Sequence, residues 1–139
     1  KFDTLTISFP DDFTEEDFEK LQNLVASKAG LFKKALGTDD LTIIRSEGKI
    51  NFPWFHEADG AKVQAYSRLV KALCQFAKNA KRVTAKEHEV PNEKYAFRCF
   101  LLRLGFIGKE YKDCRKILLE KLSGSAAFRN GGKKDAVSQ

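Results

Sequence analysis

The sequence predicts an α+β domain: a small antiparallel sheet in split βαβ, ferredoxin-like order, with a helical hairpin appended at its C-terminal end. Three observations carry that prediction. The chain opens on a strictly alternating apolar/polar run, it holds a second β-rich run that turns back on itself at Glu47-Gly48, and the rest is dominated by apolar stripes at helical spacing.

The first element is "TLTISFP", Thr4–Pro10. Leu5, Ile7 and Phe9 point to one side and Thr4, Thr6 and Ser8 to the other, the pattern of a half-buried strand, and Pro10 ends it. Thr14 is placed to cap a helix whose first turn holds Glu15, Glu16 and Asp17, where negative charge suits the helix dipole. Phe18, Leu21, Leu24, Val25, Ala29, Phe32, Ala35 and Leu36 then form one stripe, predicting a single helix that stops at Gly37.

Residues 41–45 and 50–54 read as a hairpin around Glu47-Gly48, and Pro53 predicts that the second strand ends there or lies at an edge. Asp59 caps a helix from Gly60 to about Ala80, with Val63, Tyr66, Leu69, Val70, Leu73, Phe76 and Ala77 facing inward. Val83 and Ala85 share a side of "KRVTAKEHEV", so residues 82–88 read as a weak strand that would supply the fourth strand of the ferredoxin-like order; without it the domain is a three-stranded sheet with four helices. After Pro91, Asn92 caps a helix over 93–104, and residues 105–108 ("GFIG") connect it to a last helix over 109–122. The 93–104 helix is apolar on two sides, which predicts burial on two sides. Residues 1–128 are therefore read as one compact domain, with 1–90 forming the sheet part and 91–128 the hairpin, followed by a loose tail over 129–139.

A chain of 139 residues can bury a core without a metal or disulfide staple. Cys74, Cys99 and Cys114 form no CxxC pair, and their apolar neighbours mark them as reduced, buried thiols of a cytoplasmic protein. No apolar run reaches the roughly 18 residues of a membrane span, and no signal peptide is visible. The chain starts at Lys1 and contains no Met, which leads one to expect a short N-terminal piece before it.

No nucleotide-binding glycine loop, metalloprotease helix, nucleophile elbow or calcium loop is present. His56 in "PWFHEADG" and His88 in "KEHEV" are the only histidines, and both read as loop or surface residues rather than acid–base groups. The expectation is a non-enzyme with no cofactor and no metal. Base stacking on the sheet is disfavoured as well, because the outward face of the first strand has no aromatic and Phe52 and Trp54 read as core or hairpin-end residues.

Charge is the more informative signal. Residues 1–60 carry a net −5 and residues 61–139 a net +11, which together give the chain's +6. Such asymmetry fits either an anionic partner or pairing of the two halves with each other. On the basic side the candidate contacts are Arg68, Lys71 and Lys78 on the long helix, Lys81 and Arg82 at its end, and Lys109, Lys112, Arg115 and Lys116 on the last helix. Clustered Lys and Arg neutralise phosphates and gain from counterion release. On the acidic side Asp11, Asp12, Glu15, Glu16 and Glu19 form a face suited to a partner with a positively charged nucleic-acid channel.

The run "KRVTAKEHEVPNEKYAFRCFLLRLGFIGKEYKDCRKILLEKLSGSAAFR" resembles uncharacterised small proteins of mobile genetic elements of gut Firmicutes, some labelled virulence-related. The likeness is strongest over "EKYAFRCFLLRLGFIGKEYK". It implies a cytoplasmic accessory protein of a plasmid, phage or integrative element, and it brings no catalytic residues with it. It also implies a binding role on nucleic acid or nucleic-acid-handling machinery, including a counter-defence inhibitor of the anti-CRISPR kind. The alternative is a direct DNA- or RNA-binding regulator using the C-terminal hairpin, whose short glycine-containing turn fits a helix-turn-helix.

Overall fold

A computed structural model describes residues 5–56 and 59–125. The elements run β1 (Leu5–Pro10), α1 (Glu15–Ser27), α2 (Ala29–Leu36), β2 (Ile44–Ser46), β3 (Lys49–Phe55), α3 (Gly60–Asn79), α4 (Glu93–Leu104), a 3-10 turn (Lys109–Tyr111) and α5 (Lys112–Leu119). The class is α+β, as the patterning predicts, with a three-stranded antiparallel sheet in the order β1-β3-β2.

The expected fourth strand does not form. Residues 80–92 run without helix or strand between α3 and α4, held to α1 and α2 by side chains instead of by a sheet ladder. Lys20 Nζ donates to the Ala80 carbonyl at 2.6 Å, Asn23 Nδ2 donates to the Val83 carbonyl at 3.0 Å, and the Gly30 amide donates to the Glu87 carboxylate at 2.7 Å. Val83 and Ala85 are too little apolar surface to hold an edge strand against these competing anchors.

The single helix expected over 15–36 is two. Thr14 and Asp17 form a reciprocal capping box at the start of α1, and Gly37 ends α2 in the left-handed conformation at φ 68°. Between them Lys28 leaves helical geometry at φ −128° and ψ 21°, and the chain turns without losing its apolar stripe: Leu21, Leu24, Val25, Leu31, Phe32, Ala35 and Leu36 are all buried.

Pro53 lies inside the central strand rather than at its end. β2 has already stopped beside it, since Ile44 pairs with Asn51, and opposite it the β1 register slips between Leu5 and Ile7. A proline nitrogen, which has no proton to give, fits such a bulge. The hairpin turn is as read, with Glu47 at φ 52° and Gly48 at φ 74°, the two positive angles of a type I′ turn.

The inner face of the sheet supplies Ile7, Ile50, Phe52 and Trp54 to the core, confirming Phe52 and Trp54 as buried side chains. Phe32 of α2 sits at the centre, with ring centroids 5.9 Å from Trp54, 5.5 Å from Phe97 and 5.8 Å from Phe100. α4 is indeed covered on two sides: Phe97, Phe100 and Leu101 are buried, and Tyr95, Cys99 and Leu102 are half-buried. The C-terminal part departs from a simple hairpin. Its second arm opens as a 3-10 turn, and α5 rests chiefly on α3 through Cys114 and Leu118, with a smaller contact to α4. The tail over 129–139 lies outside the described residues.

Candidate anionic-partner interface

Sorting the charged candidates by what each side chain touches divides them sharply. Three of the nine basic candidates are occupied inside the fold. Lys78 donates to both carboxylate oxygens of Asp12, at 2.8 and 2.9 Å. Arg68 donates to the Glu110 carbonyl at 2.9 Å and lies over the Tyr111 ring, tying α3 to the start of α5. Arg115 donates to the carbonyls of Phe106 and Gly108, at 2.9 and 3.2 Å, and so closes the connection after α4. Lys81 is exposed at the end of α3, and Lys71, Arg82, Lys109, Lys112 and Lys116 are exposed too; none of these six has an ion pair among the described residues. Lys78, besides its ion pair, also lies over the Phe13 ring.

The acidic face is largely spent. Arg45 holds Asp11 through two hydrogen bonds, at 2.8 and 3.0 Å, reaches Glu15 at 3.3 Å and donates to the Phe13 carbonyl. The Arg45 guanidinium therefore holds the Asp11 carboxyl below its ordinary value, and Lys78 does the same to Asp12. Only Glu16 and Glu19 of the five remain exposed without an ion pair among the described residues. Of these pairs, Lys78–Asp12 joins the basic half of the chain to the acidic half, whereas Arg45 neutralises Asp11 and Glu15 within the acidic half.

The free lysines of α5 sit in mixed company. Lys109, Lys112 and Lys116 share the exposed side with Glu110, Asp113 and Glu120, so that side has no strong field of one sign. The seam between α3 and α4 differs. Lys71 and Gln75 of α3 face Leu104 and Phe106 across a hollow of about 250 Å³. Next to it, Phe76 of α3, Ala80 just beyond its end and Arg103 of α4 line a second hollow of about 320 Å³ together with Lys28, Arg82 and Lys86. The neighbours Gln75 and Phe76, and Arg103 and Leu104, each line one of the two hollows, so these abut along the seam.

This seam contains three cations that the sequence reading did not single out: Lys28, Lys86 and Arg103. Lys28 stands at the α1–α2 break, half-buried, its ammonium 5.5 Å from the Phe100 ring centroid. Arg103 lies 5.5 Å from the Phe76 ring centroid. No helical wheel unites these residues, because they come from three separate segments; the one available signal was Lys28 interrupting an apolar stripe.

The groups considered for other chemistry are not assembled. His56 is exposed at the end of β3, and His88 is exposed on the 80–92 segment. No group of three or more His, Cys, Asp or Glu suited to a metal occurs among the described residues. Cys74 and Cys114 are buried and Cys99 is half-buried, all as free thiols, and burial pushes the Cys74 thiol up to about 12. No helix among the described residues is long and apolar enough to cross a membrane. No protein-family model, curated protein or solved structure matches the chain.

Proposed function

We propose that this is a non-enzymatic binding protein that engages a phosphate-rich partner, nucleic acid or a nucleoprotein machine, through the α3–α4 seam. One observation carries the reading. Lys71, Arg82, Lys86, Arg103 and Lys28 line two abutting hollows in which no acidic side chain takes part. An unneutralised row of cations along a groove attracts a polyanion and gains from counterion release when phosphates replace its ions.

Two rival surfaces have less behind them. Three of the five residues of the acidic face are paired, Asp11 and Glu15 by Arg45 and Asp12 by Lys78, which leaves Glu16 and Glu19. The hairpin regulator would present α5, a helix of eight residues whose exposed lysines alternate with acids. The likeness to mobile-element proteins gives the reading its setting, in which a nucleic-acid-handling defence complex is one such phosphate-rich target.

The test is fluorescence anisotropy with labelled random duplex and single-stranded oligonucleotides at low salt, about 50 mM. The combined variant Lys71→Gln, Arg82→Gln, Lys86→Gln and Arg103→Gln should lose binding, while Lys109→Gln, Lys112→Gln and Lys116→Gln together should keep most of it. The absence of binding by the unmodified chain, or an equal loss in both variants, would overturn the assignment to the seam.

A further inference from the structure

The second hollow of the seam has features that general polyanion attraction does not require. Its cations come from the α1–α2 break (Lys28), from the 80–92 segment (Arg82 and Lys86) and from α4 (Arg103). No Asp or Glu lines it; Glu87, Glu89 and Glu93 line the neighbouring hollow, which shares Ser27, Lys28 and His88 with it, and Glu87 accepts the Gly30 amide. Lys28 makes no ion pair among the described residues although it is half-buried. Burial and the repulsion of Arg103 lower its pKa, with Glu87 opposing them. His88 is the remaining titratable group on the wall. Two cations held against each other without a shared counter-ion form an arrangement that an oxyanion between them would relieve.

The hollow also offers neutral donors and apolar surface. The Thr84 hydroxyl is uncommitted among the described residues, whereas the Ser27 hydroxyl already donates to the Leu24 carbonyl. Phe76 and Leu24 contribute apolar lining. At about 320 Å³ the hollow lies at the low end of the roughly 300–1,000 Å³ of small-ligand sites, enough for a phosphoryl group with part of whatever bears it.

We infer that the hollow bounded by Lys28, Arg82, Lys86 and Arg103 is a discrete site for one phosphate-type oxyanion. It deepens the proposed binding role by marking the position where a single phosphate is held, and it stands on its own geometry. Arg82 and Arg103 each bring a planar guanidinium suited to paired donation to two phosphate oxygens, and Lys28 and Lys86 each add a point charge. The phosphate could be a free phosphoryl group or one belonging to a nucleic-acid strand.

The experiment titrates the full chain with sodium phosphate, following amide chemical shifts against sodium chloride at equal ionic strength. Saturable shifts confined to residues around Lys28, Thr84 and Arg103 are expected, with Lys86→Gln and Arg103→Gln each weakening the apparent affinity by about tenfold. Lys86 is exposed, so its variant tests the site even if Arg103→Gln perturbs the packing on Phe76. Phosphate shifts indistinguishable from those in chloride, or unchanged in both variants, would overturn the site. A second arm compares oligonucleotides with and without a 5′-phosphate. A preference abolished by Lys86→Gln supports a strand-borne phosphate, and phosphate binding without a preference supports a free one. Phosphate binding without any oligonucleotide binding would leave the site standing and remove the nucleic-acid reading. Oligonucleotide binding without a saturable phosphate response would do the opposite.

Discussion

Lys78 of α3 donates to both carboxylate oxygens of Asp12, a residue 66 positions earlier in the chain, at 2.8 and 2.9 Å. One bond pair thus removes a member from the basic set and a member from the acidic set. Lys78→Ala should therefore leave oligonucleotide affinity within about twofold of the unmodified chain, because an exposed, already paired charge adds little. Anisotropy titration checks this, and a loss as large as that of Arg82→Gln would contradict it.

The acid limb of stability follows from the same kind of contact. Arg45 holds Asp11, and Lys78 holds Asp12, below the ordinary aspartate value of 3.8. Lys34, with help from Ser123, holds Glu93 below the ordinary glutamate value of 4.5. With depressed folded values, the unfolded chain takes up protons first as pH falls, so the stabilisation is complete above the ordinary values and drains away below them. Urea midpoints should be flat from neutrality to about pH 5 and fall toward pH 3. Arg45→Ala should lower the neutral midpoint and flatten that fall.

Phe32 is the densest point of the core, fully buried with its ring against Trp54, Phe97 and Phe100. Phe32→Ala should cost about 3–5 kcal/mol in urea unfolding. A cost below about 1 kcal/mol would mean that the sheet and α4 do not meet through this ring.

Glu47 adopts φ 52° in the turn between β2 and β3, a position that suits Asn far better than Glu. Glu47→Asn should stabilise the chain by about 0.5–1 kcal/mol without touching the seam. Thermal melts check the gain, and unchanged oligonucleotide binding checks its independence.

The parts of the fold legible in the sequence are those encoded by local period and caps. Thr14, Asp59 and Asn92 each cap the helix expected of them, and Leu21, Leu24, Phe32, Leu69 and Phe97 are buried as their stripes require. The break at Lys28 was not legible because the apolar stripe continues through it. The 82–88 strand was misread because its rival anchors, Lys20, Asn23 and Gly30, lie in a distant stretch of chain. The site was harder still. Arg68 and Arg115 look free on a helical wheel yet bond to backbone carbonyls, while Lys28 and Arg103 look like interruptions of apolar stripes yet face one hollow. Charge on a helix face is visible in one dimension, whereas its neutralisation depends on partners that only the fold brings near.

The central claim is that the α3–α4 seam carries the phosphate contacts, and the salt dependence of duplex binding tests it most directly. One phosphate held by Lys28, Arg82, Lys86 and Arg103 and a second at Lys71 predict a slope of log affinity against log salt of about −1.8. Lys71→Gln should reduce that slope by about 1, Arg82→Gln and Lys86→Gln should weaken binding across the salt range, and Lys112→Gln should leave both unchanged. A slope near zero, or one that responds to Lys112→Gln and not to the seam variants, would contradict the account.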